Sequence, residues 1–457
     1  MPPKPERGIV LRAVALYAVH NAKMCIGVLF FMALASCRYG TTGRQGNKKV
    51  EIKKVNGRYS FYKDGKPFIV KGVMGHSHVA ELASIGGNTM CVWDTASLQQ
   101  VLEDAAKNNV NVIAGLDLPT GELTSWYKDG EKVAKTYADY KKLVNKYKNH
   151  TALLAWALGN ELIMPVSPNS SHFFKGYNRF LNMIHEQDPS HPVTTTIINY
   201  QKENILNIRW KLRGIDFISI NTYNKLKDIR WELRRLEWFW DGPYLVSEWC
   251  PNGGWEAQTT VWGAPIENTS TKKAEQYSYF FKAYMPTSEP RFLGSLAFYW
   301  GSRHEYTPTW YSVYNENGCP NEIKESLADC WNMAKTKHEA AQVDYMLIDS
   351  AGAKDNIILS PGSKHTAYLL IPGWQPKDSL RYSWEIMKED WFTWGRTWQY
   401  FERPRPEHGL IADSTMQNTS FICPKKEGPY RIFVTVYNNK GYCTTANTPF
   451  YVVNNEL

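Results

Sequence analysis

The chain has 457 residues, 43% apolar, 21% charged and 14% aromatic, with 18 Trp and 27 Tyr. That composition excludes disorder for most of its length, and because one hydrophobic core rarely grows past roughly 250–300 residues, it leaves room for one large and one small domain. The 53 basic and 44 acidic residues give a formal charge of +9, too mixed in sign to mark a nucleic-acid partner.

The N-terminal stretch reads as a targeting segment. Lys4, Arg7, Arg12 and Lys23 precede an apolar run over 24–35, which is too short to span a bilayer as a mature helix. It ends in Leu34-Ala35-Ser36-Cys37, which resembles the lipobox of bacterial lipoprotein signal peptides. The resemblance implies cleavage before Cys37, a lipid on Cys37, export, and a membrane as partner through that lipid. An ordinary signal peptide with an incidental cysteine is the alternative. Loss of 1–36 would remove four basic residues and Glu6, lowering the charge from +9 to +6. A polar tether over 37–49 would follow. Six further cysteines remain. Their spacing matches no zinc pattern, and either Cys319 with Cys330 or Cys423 with Cys443 could be bridged; connectivity stays open.

From residue 58 to 71, apolar residues alternate around Asp64-Gly65, a hairpin signal. Short apolar runs then predict eight strands, over 68–73, 88–93, 110–118, 153–161, 192–197, 217–223, 243–249 and 293–301. Amphipathic segments such as 97–107 and 173–184 lie between them, and the lysines of 135–148 fall on a solvated helix face. With a closing helix near 322–335, this order predicts a (β/α)8 TIM barrel over 50–338 rather than an open doubly wound sheet. No glycine-rich phosphate loop follows any strand, and no strand end gathers a ligand cluster, so neither a metal nor an organic cofactor is expected. Beyond about residue 340 the helical period stops. Strands separated by Pro, Gly and Asn turns predict an all-β sandwich over 345–457. Its stretches YSWEI and GPYRIFVTVYNNKG resemble the Ig-like or PKD-like modules appended to secreted enzymes.

The run Leu153-Leu-Ala-Trp-Ala-Leu-Gly-Asn-Glu-Leu162 poses the functional question. A strand buried on both faces is continuously apolar, so polar side chains at its C-terminal end have reached the rim of the barrel, where active sites of this fold sit. Glu161 closes the fourth predicted strand and Glu248, in Ser247-Glu248-Trp249, closes the seventh. Strands four and seven lie across the mouth from each other. Two such carboxylates suit glycosidic hydrolysis: retention needs them about 5 to 5.5 Å apart, inversion about 6.5 to 9.5 Å.

The motifs Phe68 to Val73, Gly87 to Trp93, Trp156 to Glu161, Asn221-Thr222-Tyr223 and Ser247 to Trp249 occur in the same order as those of clan A glycoside hydrolases, and the chain over about 50–335 resembles family 2 most nearly. The resemblance implies that Glu161 is the general acid/base and Glu248 the nucleophile. It further implies that Asn160 holds the sugar 2-hydroxyl, that Tyr223 hydrogen-bonds Glu248, and that Trp300 is the sugar platform, with Trp249 and Trp93 as further substrate contacts. His76 and His78, after the first strand, read as loop or cap residues. In two respects the chain departs from the family. Cys91 stands where many clan A members carry an arginine, which leaves the ionisation of Glu248 in question, and the sandwich follows the barrel instead of preceding it. The expected activity is retaining hydrolysis of a β-linked oligo- or polysaccharide. The alternatives are a transglycosylase on the same scaffold and a non-catalytic glycan-binding lipoprotein on a decayed barrel.

Overall fold

The computed structural model describes residues 49–454 except 122, 167–169, 333–337, 373–379 and 392–402. The leader, Cys37 and nearly all of the tether lie outside the described residues, and residues 48–457 form one compact unit.

The chain enters through an antiparallel meander, β1 (Val50–Val55), β2 (Arg58–Lys63) and β3 (Lys66–Phe68). Its two turns, Asn56-Gly57 and Asp64-Gly65, have positive φ at both central residues, the backbone that matches the strand twist in two-residue hairpins. Phe61 is fully buried and packs edge-on against Phe217 at 5.4 Å, so the meander caps the end of the barrel where its strands begin.

The barrel is closed by eight parallel strands: β4 (Val70–Met74), β5 (Thr89–Val92), β6 (Asn111–Leu116), β7 (Leu153–Leu158), β8 (Val193–Ile198), β9 (Phe217–Asn221), β10 (Tyr244–Trp249) and β11 (Phe292–Ala297). Each falls within or beside a predicted run. The runs are apolar because both faces are covered: every residue of β5, β7, β9, β10 and β11 is buried. The covering helices are α1 (Val79–Ser84), α2 (Leu98–Lys107), α3 (Thr124–Lys128), α4 (Gly130–Tyr147), α5 (Ser171–Gln187), α6 (Lys202–Lys211), α7 (Ile229–Arg235), α8 (Ser270–Tyr284) and α9 (Glu322–Asn332). In α2 the buried residues are Leu98, Val101, Leu102 and Ala105, the i, i+3, i+4, i+7 stripe of a helix lying on a sheet. Lys135, Lys141, Lys142 and Lys146 of α4 are exposed.

After the barrel come β12 (Tyr345–Ile348), β13 (Ile358–Leu359), β14 (Lys364–Leu370), β15 (Leu380–Lys388), β16 (Thr419–Ile422), β17 (Gly428–Asn438) and β18 (Cys443–Val452). They form two sheets, β12-β14-β16 and β13-β18-β17-β15, packed over Trp384, Ile386, Phe421, Ile432, Val434 and Phe450.

The sandwich is joined to the barrel through buried charge. Arg431 is 1% exposed; its Nε donates to Glu389 (2.8 Å), one terminal nitrogen to Asn447 Oδ1 (2.7 Å) and the other to Pro265 O (2.7 Å). Asn447 in turn donates to Glu267 Oε2 (2.7 Å), and Glu267 also takes Lys273 Nζ (2.7 Å) and the hydroxyls of Thr307 and Thr309. Buried ions are tolerated only with such complete pairing. Neither candidate pair is bonded among the described cysteines, and Cys319 lies beside Cys443 instead. Cys443 Sγ donates to Cys319 O (3.1 Å), Cys319 Sγ donates to Gly441 O (3.2 Å), and the Cys443 N–H donates to Pro320 O (2.8 Å). All six described cysteines are thiols in this structure.

Candidate active site

The fourth barrel strand stops at Leu158, three residues before Glu161. Gly159 then turns at φ +76, and a Cβ there would sit 2.4 Å from Leu162 Cδ1, so the turn calls for glycine. The Gly159 N–H still donates to Leu116 O (2.8 Å), and its carbonyl accepts from Thr196 N (3.2 Å), which ties the turn to both neighbouring strands. Glu161 itself has φ +50. A left-handed non-glycine residue costs roughly 1–3 kcal/mol and persists where its surroundings hold it. Here that backbone delivers the carboxyl to the barrel mouth instead of continuing the strand.

Glu248 lies within β10, paired with Asn221 of β9, and is 6% exposed. Asn221 is the hinge between the two glutamates. Ser247 Oγ donates to Asn221 Oδ1 (2.8 Å), which turns the amide nitrogen toward Glu161 Oε1 (3.0 Å) and Asn160 Oδ1 (3.3 Å). The Tyr223 hydroxyl donates to Glu248 Oε2 (3.0 Å). The Tyr223 ring is held edge-on by Trp255 (5.0 Å) and Phe298 (6.1 Å). The structure thus gathers Asn160, Glu161, Tyr223 and Glu248 at one end of the barrel. Asn221 was visible in the sequence only as the start of the Asn-Thr-Tyr motif, with no role assigned.

Burial pushes both carboxyls above their ordinary range. For Glu161, burial is opposed by the Asn221 hydrogen bond, with Glu305 raising and Arg303 lowering it. For Glu248, burial is joined by repulsion from Glu161 and opposed by the Tyr223 hydroxyl and by Arg303. Two such groups titrate as a pair, so the site holds a proton to a higher pH than a lone carboxylate would. Cys91 of β5 is 3% exposed. Burial, then the charge of Glu248, push its thiol up, so at neutral pH Cys91 faces the pair uncharged.

Of the three tryptophans expected to touch substrate, two are fully buried. Trp300 is fully buried, its Nε1 donates to His78 O (3.1 Å), and its ring lies edge-on to Tyr314 at 5.0 Å. It presents no face to the cleft, so the platform reading is corrected: the partly exposed ring at this strand end belongs to Tyr299, whose hydroxyl meets His76 Nδ1 at 3.2 Å. Trp249 is also fully buried and packs on Tyr277 and Phe281 of α8 (5.2 and 5.8 Å). It belongs to the layer between sheet and helices, because neighbours along a strand point to opposite faces and Glu248 takes the lumen. Trp93 is partly buried, its ring pressed on Gly115, where an added Cβ would come within 2.2 Å. His78 caps α1 and stacks on Tyr314 at 3.8 Å.

Sequence reasoning missed the loop after β11. Arg303 Nε donates to Glu305 Oε2 (2.6 Å), and the guanidinium lies 5.3 Å from the Phe298 ring and 5.5 Å from the Tyr299 ring. Trp255, 59% exposed beside Tyr223, offers the open aromatic surface nearest the pair's hydroxyl donor. Among the described residues no group of His, Cys, Asp and Glu could hold a metal ion, and no helix is long and apolar enough to cross a membrane.

No family model and no curated relative matches the sequence. Solved structures do resemble it. A β-glucuronidase of Bacteroides uniformis aligns with a TM-score of 0.50 at 11% identity, over 89% of this chain and 48% of its own. A family 2 β-galacturonidase from Eisenbergiella tayi aligns at 0.48 and 13% identity, over 62% and 54%. A family 5 mannosidase from Rhizomucor miehei aligns at 0.45 and 14%, over 63% and 98%. The chain spans about half the length of the glucuronidase, and that likeness is one of fold: this is a (β/α)8 TIM barrel followed by a β-sandwich.

Proposed function

We propose that the chain is a retaining glycoside hydrolase that cleaves a β-linked oligo- or polysaccharide through a two-glutamate double displacement. The observation that carries this is the arrangement of Glu161 and Glu248 about Asn221, with Tyr223 donating to Glu248. In the first step Glu161 protonates the glycosidic oxygen while the Glu248 carboxylate attacks the anomeric carbon; the leaving alcohol departs and a glycosyl ester forms on Glu248. In the second, Glu161 takes a proton from water, which attacks the same carbon and restores Glu248. Burial of the pair favours keeping one proton in the site, and the Tyr223 hydroxyl, donating to Glu248, favours charge on that carboxyl. Asn160 is suited to the sugar 2-hydroxyl. The glycosidase fold of the Bacteroides uniformis β-glucuronidase supports the reaction class. Transfer of the glycosyl group to another sugar would use the same ester and differ only in the acceptor.

The Leu34-Ala35-Ser36-Cys37 leader motif supports export and lipid anchoring through Cys37, with the sandwich as an Ig-like accessory. The chemistry is tested with aryl β-glycosides. Glu248→Ala should abolish turnover and, with azide, yield a product of inverted configuration. Glu161→Ala should retain the first step for good leaving groups and, with azide, give retained configuration. The reverse pattern would exchange the two roles, and unchanged turnover in both would refute the reading.

A further inference from the structure

A sugar offers a cleft two kinds of surface, hydroxyls that need hydrogen-bond partners and a face of C–H groups that packs best on an aromatic ring. Trp249 and Trp300 lie in the core, so the mouth of this barrel needs another ring for that face. Trp255 stands in the one-turn helix Gly254–Glu256, just past β10, the strand that carries Glu248. Its ring centroid is 5.0 Å from that of Tyr223, with the planes at 79°, and the Tyr223 hydroxyl is 3.0 Å from Glu248 Oε2. One side chain therefore separates the indole from the carboxyl. A lone exposed tryptophan means little, but this one is 59% exposed on a loop that is fixed on every side.

We propose that Trp255 is the stacking platform of the cleft, the ring that seats a pyranose of the β-linked glycan by its C–H face beside Glu248. The loop is built to present it. Glu256 Oε2 accepts from the N–H of Gly253 (3.0 Å) and from that of Asn224 (3.1 Å), which ties the loop to the residue after Tyr223. The Gly254 N–H donates to Tyr311 Oη (3.2 Å), and Trp310 Nε1 donates to Asn252 O (3.3 Å). Gly253 has φ −73 and ψ 156, a backbone open to any residue, yet a Cβ there would meet Trp255 Cζ2 at 2.5 Å. A Cβ on Gly254 would meet Tyr306 Cδ2 at 2.4 Å. The space that excludes both side chains is the space the two rings occupy. Tyr306, partly exposed and 6.4 Å from Trp255, has φ +64, a strained backbone that persists only where its surroundings hold it. Trp255 and Tyr306 thus form an aromatic strip that leads away from Tyr223. The other partly exposed ring at the mouth, Tyr299, has the Arg303 guanidinium 5.5 Å from its centroid, whereas Trp255 keeps its surface open.

The inference rests on the hydrolase reading, so its test has a readout that does not need turnover. β-Linked tetrasaccharides of glucose, mannose, galactose and xylose are titrated calorimetrically into the full chain carrying Glu248→Gln, and the one that binds best is taken through a Trp255 series in that background. Trp255→Ala should weaken binding by about tenfold or more. Trp255→Tyr should keep most of the affinity, because it keeps a ring, and Trp255→Leu should not, because it keeps only bulk. Leu also carries the test should the Ala variant fail to fold. With Glu248 restored, the same series should raise KM for that tetrasaccharide more than it lowers kcat. A folded Ala or Leu variant that binds as tightly as its parent overturns the proposal, as does a parent that binds none of the four sugars. Weakened binding in the series, with no turnover by the unmodified protein, would instead count against the hydrolase reading and leave the platform supported.

Discussion

Tyr223→Phe removes one oxygen from a ring that is 9% exposed and packed by Trp255, Phe298 and Tyr311 at 5.0, 6.1 and 6.0 Å. The ring stays, and the donor to Glu248 Oε2 is lost. A hydrogen bond to an ionised acceptor is worth about 1.5–3 kcal/mol, and about 1.4 kcal/mol corresponds to one pKa unit. Glu248 should therefore titrate about 1–2 units higher than in the unmodified protein. The acid limb of kcat/KM reports the free enzyme's carboxylate, so it should move up by that amount and cost about 10- to 100-fold at pH values below both limbs. Stability supplies a second readout. Glu248 is already raised above its unfolded value, so the folded state loses stability as pH climbs through that window. The variant, raised further, should lose more than the unmodified protein as pH rises above the ordinary carboxylate range and match it at the acid end. Coincident pH profiles and parallel melting curves would refute the assignment of Tyr223 as the donor that keeps Glu248 charged.

Two further outcomes are expected. Glu322 at the start of α9 is 4% exposed, accepts from Thr271 Oγ1 (2.6 Å), leaves its other oxygen unpartnered, and burial pushes it from 4.5 up to about 7. Stability should fall as pH rises from about 4.5 through about 7, by about 3 kcal/mol at most, and Glu322→Gln should remove that slope; thermal melts at pH 4 and pH 8 check it, and an equal gap at both pH values counts against it. With excess oxidised glutathione, Cys319 and Cys443 should become a disulfide, releasing two molecules of reduced glutathione and stabilising the fold by on the order of 4 kcal/mol for so long a ring. Non-reducing peptide mapping decides this, and a Cys423–Cys443 or Cys319–Cys330 peptide would contradict it.

The barrel was legible because its strands are buried on both faces, so each appears as an unbroken apolar run whose polar terminus marks the rim. Glu161 and Glu248 were legible for the same reason. The property that made the strands visible hid their parity: with no alternation, nothing in Trp249 or in Tyr299-Trp300 says which ring faces the lumen and which the helix layer. Trp249 and Trp300 were read into the cleft and lie in the core. Arg303 escaped because it sits in a long connection after the last strand, where periodicity is silent. Its contacts run to Phe298, Tyr299 and Glu305, and they exist only once the loop has folded back over the strand end. The approach of Cys319 to Cys443 was hidden likewise, since the two are brought together by docking of the sandwich.

That docking changes what the C-terminal module is. An accessory domain on a linker meets its neighbour through a modest, hydrated interface, whereas here Arg431, Glu389, Glu267 and Lys273 are buried between sandwich and barrel. The same network reaches the loop that carries Arg303. Glu267 takes the hydroxyls of Thr307 and Thr309, His304 Nε2 meets Asp390 Oδ2 at 2.9 Å, and Asn315 donates to Tyr437 Oη at 3.2 Å. Cys443 N then holds Pro320 at the loop's far end. Three anchors from the sandwich, Asp390, Tyr437 and Cys443, thus join Glu267 of the barrel in holding this segment. Since a buried charge left without its partner costs several kcal/mol, the sandwich cannot part from the barrel without freeing the loop, and the placement of Arg303 and Glu305 after β11 is a property of both domains together.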